Sequence, residues 1–221
     1  MKIAVIGSQC TGKSTFIKDF IAHWGMYTLS ERPRYTDLVK TKKHSLNEDG
    51  NEASQTIIRD SIVDQTMYTS KDSNTIFDRS VLDNLVYTMW LNAKGKVSDK
   101  FVKETMAIAK EALVFYDILF FLPITKHSPI PFEPSDNRSN SEQYRSEIDN
   151  IFKALIHQYN QGNKTYFPFD AKGGCPAIIE IFGNREQRIE LAKMYLQDDG
   201  NVYTEKDSLL LPTDPKLTDF K

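Results

Sequence analysis

The sequence predicts a three-layer α/β fold: a five-stranded parallel sheet covered on both faces by helices. Short apolar runs rich in Ile, Val and Phe alternate with longer segments of helical period, the pattern of strands buried on both faces and linked by crossover helices. A glycine-rich turn, Gly7 to Ser14, joins the first such run to the first helical segment. The composition is that of an ordinary globular chain, with 221 residues of which 40% are hydrophobic and 26% charged. A chain of that size buries enough surface to fold as one domain without cross-links.

Lys2 to Ile6 reads as the first strand and Thr15 to Trp24 as the helix after it. Met26 to Ser30, Thr75 to Phe77, Asp117 to Leu122 and Ala177 to Phe182 are the other strand candidates. Val81, Leu82, Leu85, Val86, Met89 and Trp90 form an apolar stripe of helical period. Ser98 is placed to cap a second helix carrying Phe101, Val102, Ile108, Ala109, Ala112 and Leu113. A third runs through Tyr144, Ile148, Ile151, Phe152, Leu155 and Tyr159, with Gly162 as its stop. Three stretches resist this pattern: the polar Lys40 to Asn51, the Pro-rich Pro123 to Ser141 and the acidic segment from Asp198. Residues 1–197 are therefore expected to form one domain with a lid over about 123–145, and residues 198–221 a tail.

Charge and cysteine usage exclude several classes. Lys plus Arg number 28 against 30 Asp plus Glu, a net charge of -2, so no global field draws the chain onto nucleic acid or an anionic membrane. Cys10 and Cys175 lie far apart and His23, His44, His127 and His157 stand singly, which gives neither a disulfide framework nor a metal-ligand spacing. A reducing, cytoplasmic compartment is expected. The longest apolar stretch, Ala112 to Ile124, is interrupted by Asp117 and falls short of the roughly 20 residues a bilayer helix needs. The amino-terminal run carries one Lys and is too short for a signal peptide.

Gly7-Ser8-Gln9-Cys10-Thr11-Gly12-Lys13-Ser14 satisfies G-x-x-x-x-G-K-[ST] at every fixed position, after a strand and before a helix. In such a P-loop the glycines let backbone N–H groups curl around a phosphate and the helix turns its positive end to the anion. Gly7, Gln9, Cys10, Thr11, Gly12, Lys13, Ser14 and Thr15 are the candidate ATP contacts, with Lys13 toward the β/γ oxygens and the Ser14 hydroxyl on Mg²⁺. Cys10 is expected to contribute its N–H rather than a reactive thiol. Asp78, at the carboxyl edge of the third strand, is a candidate Mg²⁺ ligand, direct or through water, or else a helix cap. Arg79 beside it is placed to neutralise a transferring phosphoryl group or to fix the acceptor.

Glu31, after the second strand in Glu31-Arg32-Pro33-Arg34, is a candidate general base, the competing reading being an ion pair in the turn. Arg138 and Arg145, with Asp136, are candidates to close over the phosphates, against the plainer reading as surface arginines. Tyr35, Tyr87, Trp90, Phe132 and Tyr144 are candidates to stack on a base, although helical spacing favours ordinary core packing for Tyr87 and Trp90. Lys40, Lys42 and Lys43 fit a small nucleic-acid footprint and a solvated loop equally well.

These residues resemble the P-loop kinases of nucleosides and nucleotides, including ribosylnicotinamide-kinase-like and deoxynucleoside-kinase-like AAA-domain proteins and their phage-encoded relatives. The phosphate loop carries the resemblance. Asp78-Arg79-Ser80 is similar to the [DE]-R-[SY] that ends strand three, Asp136, Asn137, Arg138 and Arg145 to the arginine-bearing lid, and Ile178 to Leu191 to the last strand and its helix. The resemblance implies transfer of the γ-phosphoryl of ATP, with Mg²⁺, to a hydroxyl or phosphate of a nucleoside-like small molecule by a monomer or homodimer. It also implies Glu31 acting toward the acceptor hydroxyl and Gly183 to Arg188 near the adenine. The chain departs from ribosylnicotinamide kinases, which carry Asp-Gly-x-Arg where Asp136-Asn137-Arg138 stands, and from deoxynucleoside kinases, which usually carry Glu at Asp78. Some phage relatives are thought to phosphorylate a hydroxymethylated pyrimidine within DNA, so modified DNA or a polynucleotide end stays open as an acceptor. A P-loop switch or ATPase is the more distant alternative. Asn163-Lys164-Thr165-Tyr166 lacks the Asp of a GTPase N-K-x-D, and Arg79 stands where a motor ATPase carries a second acid.

Overall fold

The computed structural model describes residues 1–30, 39, 41, 45–70, 73–126, 141–163, 165–167 and 174–203. Five parallel strands, β1 (Lys2–Ile6), β2 (Thr28–Leu29), β3 (Thr75–Asp78), β4 (Ile118–Phe121) and β5 (Ala177–Glu180), lie in the order β2-β3-β1-β4-β5. This is the expected sheet and order. Every residue of β1 and β4 is buried, as central strands covered on both faces must be. At the edge, β2 keeps only two exposed residues where the apolar run Met26 to Ser30 suggests five, because a strand with one neighbour has little ladder to hold its ends.

Six helices among the described residues pack on this sheet: α1 (Lys13–His23), α2 (Glu52–Tyr68), α3 (Val81–Ala93), α4 (Asp99–Leu113), α5 (Glu142–Asn160) and α6 (Arg185–Lys193). The alternation along β1 sorts the layers. Ala4 and Ile6 join Phe77, Leu119 and Phe121 in the core beneath α2, α3, α4 and α5, while Ile3 and Val5 join Ile76, Ile118 and Phe120 in the core beneath α1 and α6. On the second face Phe120 meets Phe16 edge to face at 5.6 Å and Phe20 at 5.9 Å.

The caps explain where the helices start and stop. Asn51, Ser80, Ser98, Ser141 and Asn184 each accept a backbone N–H from the first turn of α2, α3, α4, α5 and α6, respectively. Gly162, at φ 74°, ends α5: its N–H donates to Tyr159 O and that of Asn163 to Gln158 O, both at 2.9 Å. Helix α1 starts at Lys13, two residues before the expected Thr15. Helix α2 follows the polar stretch Lys40 to Asn51 and has no clear apolar stripe, since its buried face includes Ser54, Gln55, Arg59 and Thr66. Residues 198–203 fold back as a short hairpin: Gln197 N–H donates to Asn201 O at 2.8 Å and Tyr203 N–H to Tyr195 O at 3.1 Å. The Trp24 indole and the Tyr27 hydroxyl fasten it by donating to Gln197 O at 2.9 Å and Gly200 O at 2.8 Å.

Phe120→Ala opens a cavity in the centre of the α1–α6 face. It is expected to destabilise the fold by about 3–5 kcal/mol, read from the midpoint shift in urea unfolding.

Candidate functional site

The turn between β1 and α1 runs closer to the sheet than a side chain allows. A Cβ on Gly7, whose φ is 135°, would stand 2.7 Å from the carbonyl oxygen of Leu122, so only glycine fits. The chain then takes left-handed conformations at Cys10 (φ 56°) and Gly12 (φ 82°), and Gly12 occupies the cap position of α1. Unlike the other five described helices, α1 has no side-chain cap, and its first turn holds no acid. Its amino-terminal N–H groups thus carry their partial positive charge to the turn with no first-turn acid beside them.

Lys13 is buried within the same curl, its Nζ donating to Gly7 O at 2.9 Å and Ser8 O at 2.5 Å. The Thr11 hydroxyl donates to Ser8 O at 3.1 Å. Ser8 Oγ is fully buried without a hydrogen-bond partner among the described residues. Gln9 is buried, whereas Ser14 and Thr15 are exposed at the start of α1.

Register brings the next acid to this turn. Val5 pairs with Asp78, so the carboxyl end of β3 lies beside the phosphate-loop motif, with the exposed Asp78 carboxylate accepting from Ser14 Oγ at 3.4 Å. Ser80, not Asp78, caps α3. Arg79 is held at φ 89°, an uncommon conformation for a side chain of its size, by donation of its N–H to Val5 O at 3.0 Å. Its guanidinium turns back to Asp83 Oδ1 at 3.5 Å and lies 5.4 Å from the Tyr87 ring centroid.

Asp83 is a residue that sequence reasoning missed. It is buried, and its carboxylate accepts from Ser80 N–H at 2.9 Å and Gly7 N–H at 3.4 Å besides pairing with Arg79. Burial pushes its carboxyl up from the ordinary value, outweighing the opposite pull of Arg79, Lys13 and the two N–H groups. Arg145 and Arg188 reach the turn from α5 and α6. Arg145 Nη2 donates to Cys10 O, and Arg188 Nη1 to Thr11 O, each at 2.9 Å. The resemblance sets Gly183 to Arg188 near the adenine, and nothing in the neighbours of Arg188 along the chain pairs it with the carbonyl of Thr11.

Lys13, Asp78, Arg79 and Arg145 are therefore together, around the turn from Gly7 to Ser14. Glu31, Arg32, Arg34, Tyr35, Lys40, Lys42, Lys43, Phe132, Asp136, Asn137 and Arg138 lie outside the described residues. Trp90 and Tyr144 are core: their rings meet at 4.5 Å and the Trp90 indole donates to Glu147 Oε2 at 2.7 Å. That bond, with Lys94 and Gln143, holds the Glu147 carboxyl down at about 2. Among the described residues no group of three or more His, Cys, Asp or Glu is arranged to hold a metal, and no helix is long and apolar enough to cross a membrane.

A model of a protein family described as "AAA domain" matches residues 2–164. Comparison with curated proteins finds no match. Among solved structures, a deoxyadenosine kinase from M. mycoides with dCMP and dCDP bound is similar, with a TM-score of 0.58 and 17% identity over 87% of this chain and 96% of that one. A thymidylate kinase from Candida albicans gives a TM-score of 0.59 and 15% identity over 92% and 97%. NadR protein in complex with NAD and AMP-PNP gives 0.58 and 13% over 92% of this chain and 51% of that one. At these identities the likeness establishes the fold, a P-loop kinase-like α/β architecture.

Asp83→Ala leaves Gly7 N–H, Ser80 N–H and the Arg79 guanidinium without their shared acceptor. It is expected to destabilise the protein by about 3–5 kcal/mol, and Asp83→Asn, which keeps one acceptor oxygen, by less, as measured by urea unfolding.

Proposed function

The chain belongs to the AAA-domain family, and from that premise we propose that it is a Mg²⁺-dependent kinase transferring the γ-phosphoryl of ATP to a hydroxyl or phosphate of a nucleoside, nucleotide or related small acceptor. The observation that carries this reading is the uncapped α1 amino terminus, with Lys13 folded into the Gly7–Ser14 turn and the Ser14–Asp78 pair at its rim. That site suits a triphosphate: a glycine with no room for a side chain, backbone N–H groups at a positive helix end and a buried ammonium. The oxygens of Ser14 and Asp78 are the hard donors Mg²⁺ selects, and those residues would hold the ion. Bound there, Mg²⁺ would neutralise charge on the phosphate oxygens.

The remaining roles follow from what phosphoryl transfer requires, namely placement of two reactants and stabilisation of negative charge. The amides of Gln9 to Thr15 cradle the phosphates and Lys13 faces their oxygens. Glu31, following β2 in the sequence, accepts the proton of the acceptor hydroxyl. Arg79 and Arg138 stabilise the charge of the group in transfer, and Arg145 adds positive charge from behind the loop, where it holds Cys10 O. Deoxyadenosine kinase and thymidylate kinase, by their names, act on nucleosides and nucleotides; their shared architecture supports an acceptor of that class here.

The test is transfer of labelled γ-phosphate from ATP, with and without Mg²⁺, to nucleosides, nucleoside monophosphates, ribosylnicotinamide and hydroxymethylated DNA. Label is expected on a small acceptor, only with Mg²⁺, and reduced by about 10²- to 10³-fold or more in Lys13→Ala. Label on DNA alone would transfer the reading to a polymer kinase, and release only as free phosphate would make the protein an ATPase. For Glu31→Gln, turnover is expected to fall by about 10²- to 10⁴-fold while ATP affinity stays at the wild-type value; equal loss of both would assign Glu31 a structural role.

A further inference from the structure

Arg188 lies outside the residues that match the family model, yet it is buried against the phosphate-loop motif. Its hydrogen bonds go to two neutral carbonyls: Nη1 to Thr11 O at 2.9 Å and Nε to Gly183 O at 3.0 Å. Among the described residues no carboxylate pairs with it, so within them a guanidinium charge is buried behind the loop without a counter-charge. Burying such a charge is unfavourable unless something compensates it, and an anion on the other side of the loop would.

The peptide geometry adds direction. Among the described residues no peptide is cis, and in a planar trans peptide the C=O and the following N–H point opposite ways. Holding Thr11 O on Arg188 therefore turns the Gly12 N–H away from the guanidinium. Arg145 does the same one peptide earlier, where its grip on Cys10 O turns the Thr11 N–H. Gly183, the second anchor of Arg188, has φ 90°, a left-handed conformation that favours glycine.

We propose that Arg188 is a positioning residue for the triphosphate: it fixes the Thr11–Gly12 peptide with its N–H toward the phosphates and contributes a buried positive charge behind the loop. This rests on the reading of the Gly7–Ser14 turn as a phosphate site. It sets affinity for the polyphosphate, not for the base.

Calorimetric titration of the full chain with ATP and with inorganic tripolyphosphate, both with Mg²⁺, tests it. Arg188→Met is expected to weaken both ligands by the same factor, about 10- to 100-fold, the effect of losing one or two charge-assisted hydrogen bonds. Arg188→Lys keeps the charge but not the two-carbonyl fork, and is expected to weaken both by a smaller common factor. Thermal melting reports whether each variant is folded; should Arg188→Met not fold, Arg188→Lys alone decides. Wild-type affinity in a folded variant overturns the proposal, and so does weakening of ATP with tripolyphosphate unchanged, since that places Arg188 at the base end. Binding of neither ligand by the wild-type chain would overturn the phosphate-site reading and the inference with it.

Discussion

A loop that binds phosphate through its backbone has to keep several N–H groups directed at the ligand, and it can do so only if the carbonyls of the same peptides are held from behind. The rest of this structure is arranged around that constraint. The turn from β1 to α1 passes 2.7 Å, at the position of a would-be Cβ, from Leu122 O, which makes Gly7 obligatory and anchors the loop to β4. Asp83 from α3, Arg145 from α5 and Arg188 from α6 then take hold of Gly7 N–H, Cys10 O and Thr11 O. Three helices from both faces of the sheet thus converge on the five residues of backbone from Gly7 to Thr11. Gly12 takes its left-handed conformation freely, whereas Cys10 at φ 56° is unfavourable for an isolated chain and is one that such a network can sustain.

The same network links the two halves of the site. Arg79 adopts φ 89° between a strand residue and a helix cap, a strain of about 1–3 kcal/mol. Its N–H bond to Val5 O, the Ser80 cap and the Asp83 bond to Ser80 N–H over-determine the turn. Because Asp83 also accepts from Gly7, the turn that presents Asp78 to Ser14 and the loop that presents its amides share one buried carboxylate. Burial disfavours the charge on Asp83, and its partners keep that charge useful by surrounding it with donors.

What could be read in the sequence was what is local. The motif from Gly7 to Ser14 carries its chemistry within eight consecutive residues, and the apolar runs of β1, β3 and β4 announce strands because each is buried on both faces or nearly so, while the edge strand β5 shows only the short apolar run Ala177 to Ile179. Parallel connection of such runs then restricts the order of the sheet. Helix α2 was not legible by periodicity, since Gln55, Arg59 and Thr66 are turned inward; its Asn51–Ser54 capping box was the available signal. Asp83 stands in the first turn of α3, a common place for an acid, and only the fold brings it to Gly7, 76 residues away. Arg188 is 177 residues from Thr11, a pairing no pattern along the chain encodes.

That division has a physical basis. Ligand-facing chemistry depends on atoms of neighbouring residues held at fixed spacing, so it leaves a compact signature such as the Lys13–Ser14 pair at the start of α1. Support for that chemistry depends on whichever element packs behind it, and any buried residue with a donor of the right reach can serve. In this chain the support comes from the first turn of α3, the first turn of α5 and the middle of α6, positions where an acid or a guanidinium reads as an ordinary helix residue. Their burial distinguishes them: Asp83, Arg145 and Arg188 are 1%, 8% and 6% exposed, and charges removed from water to that extent are retained where their hydrogen bonds hold something else in place. Here that something is the backbone of the loop, which has no side-chain cap of its own to do the holding.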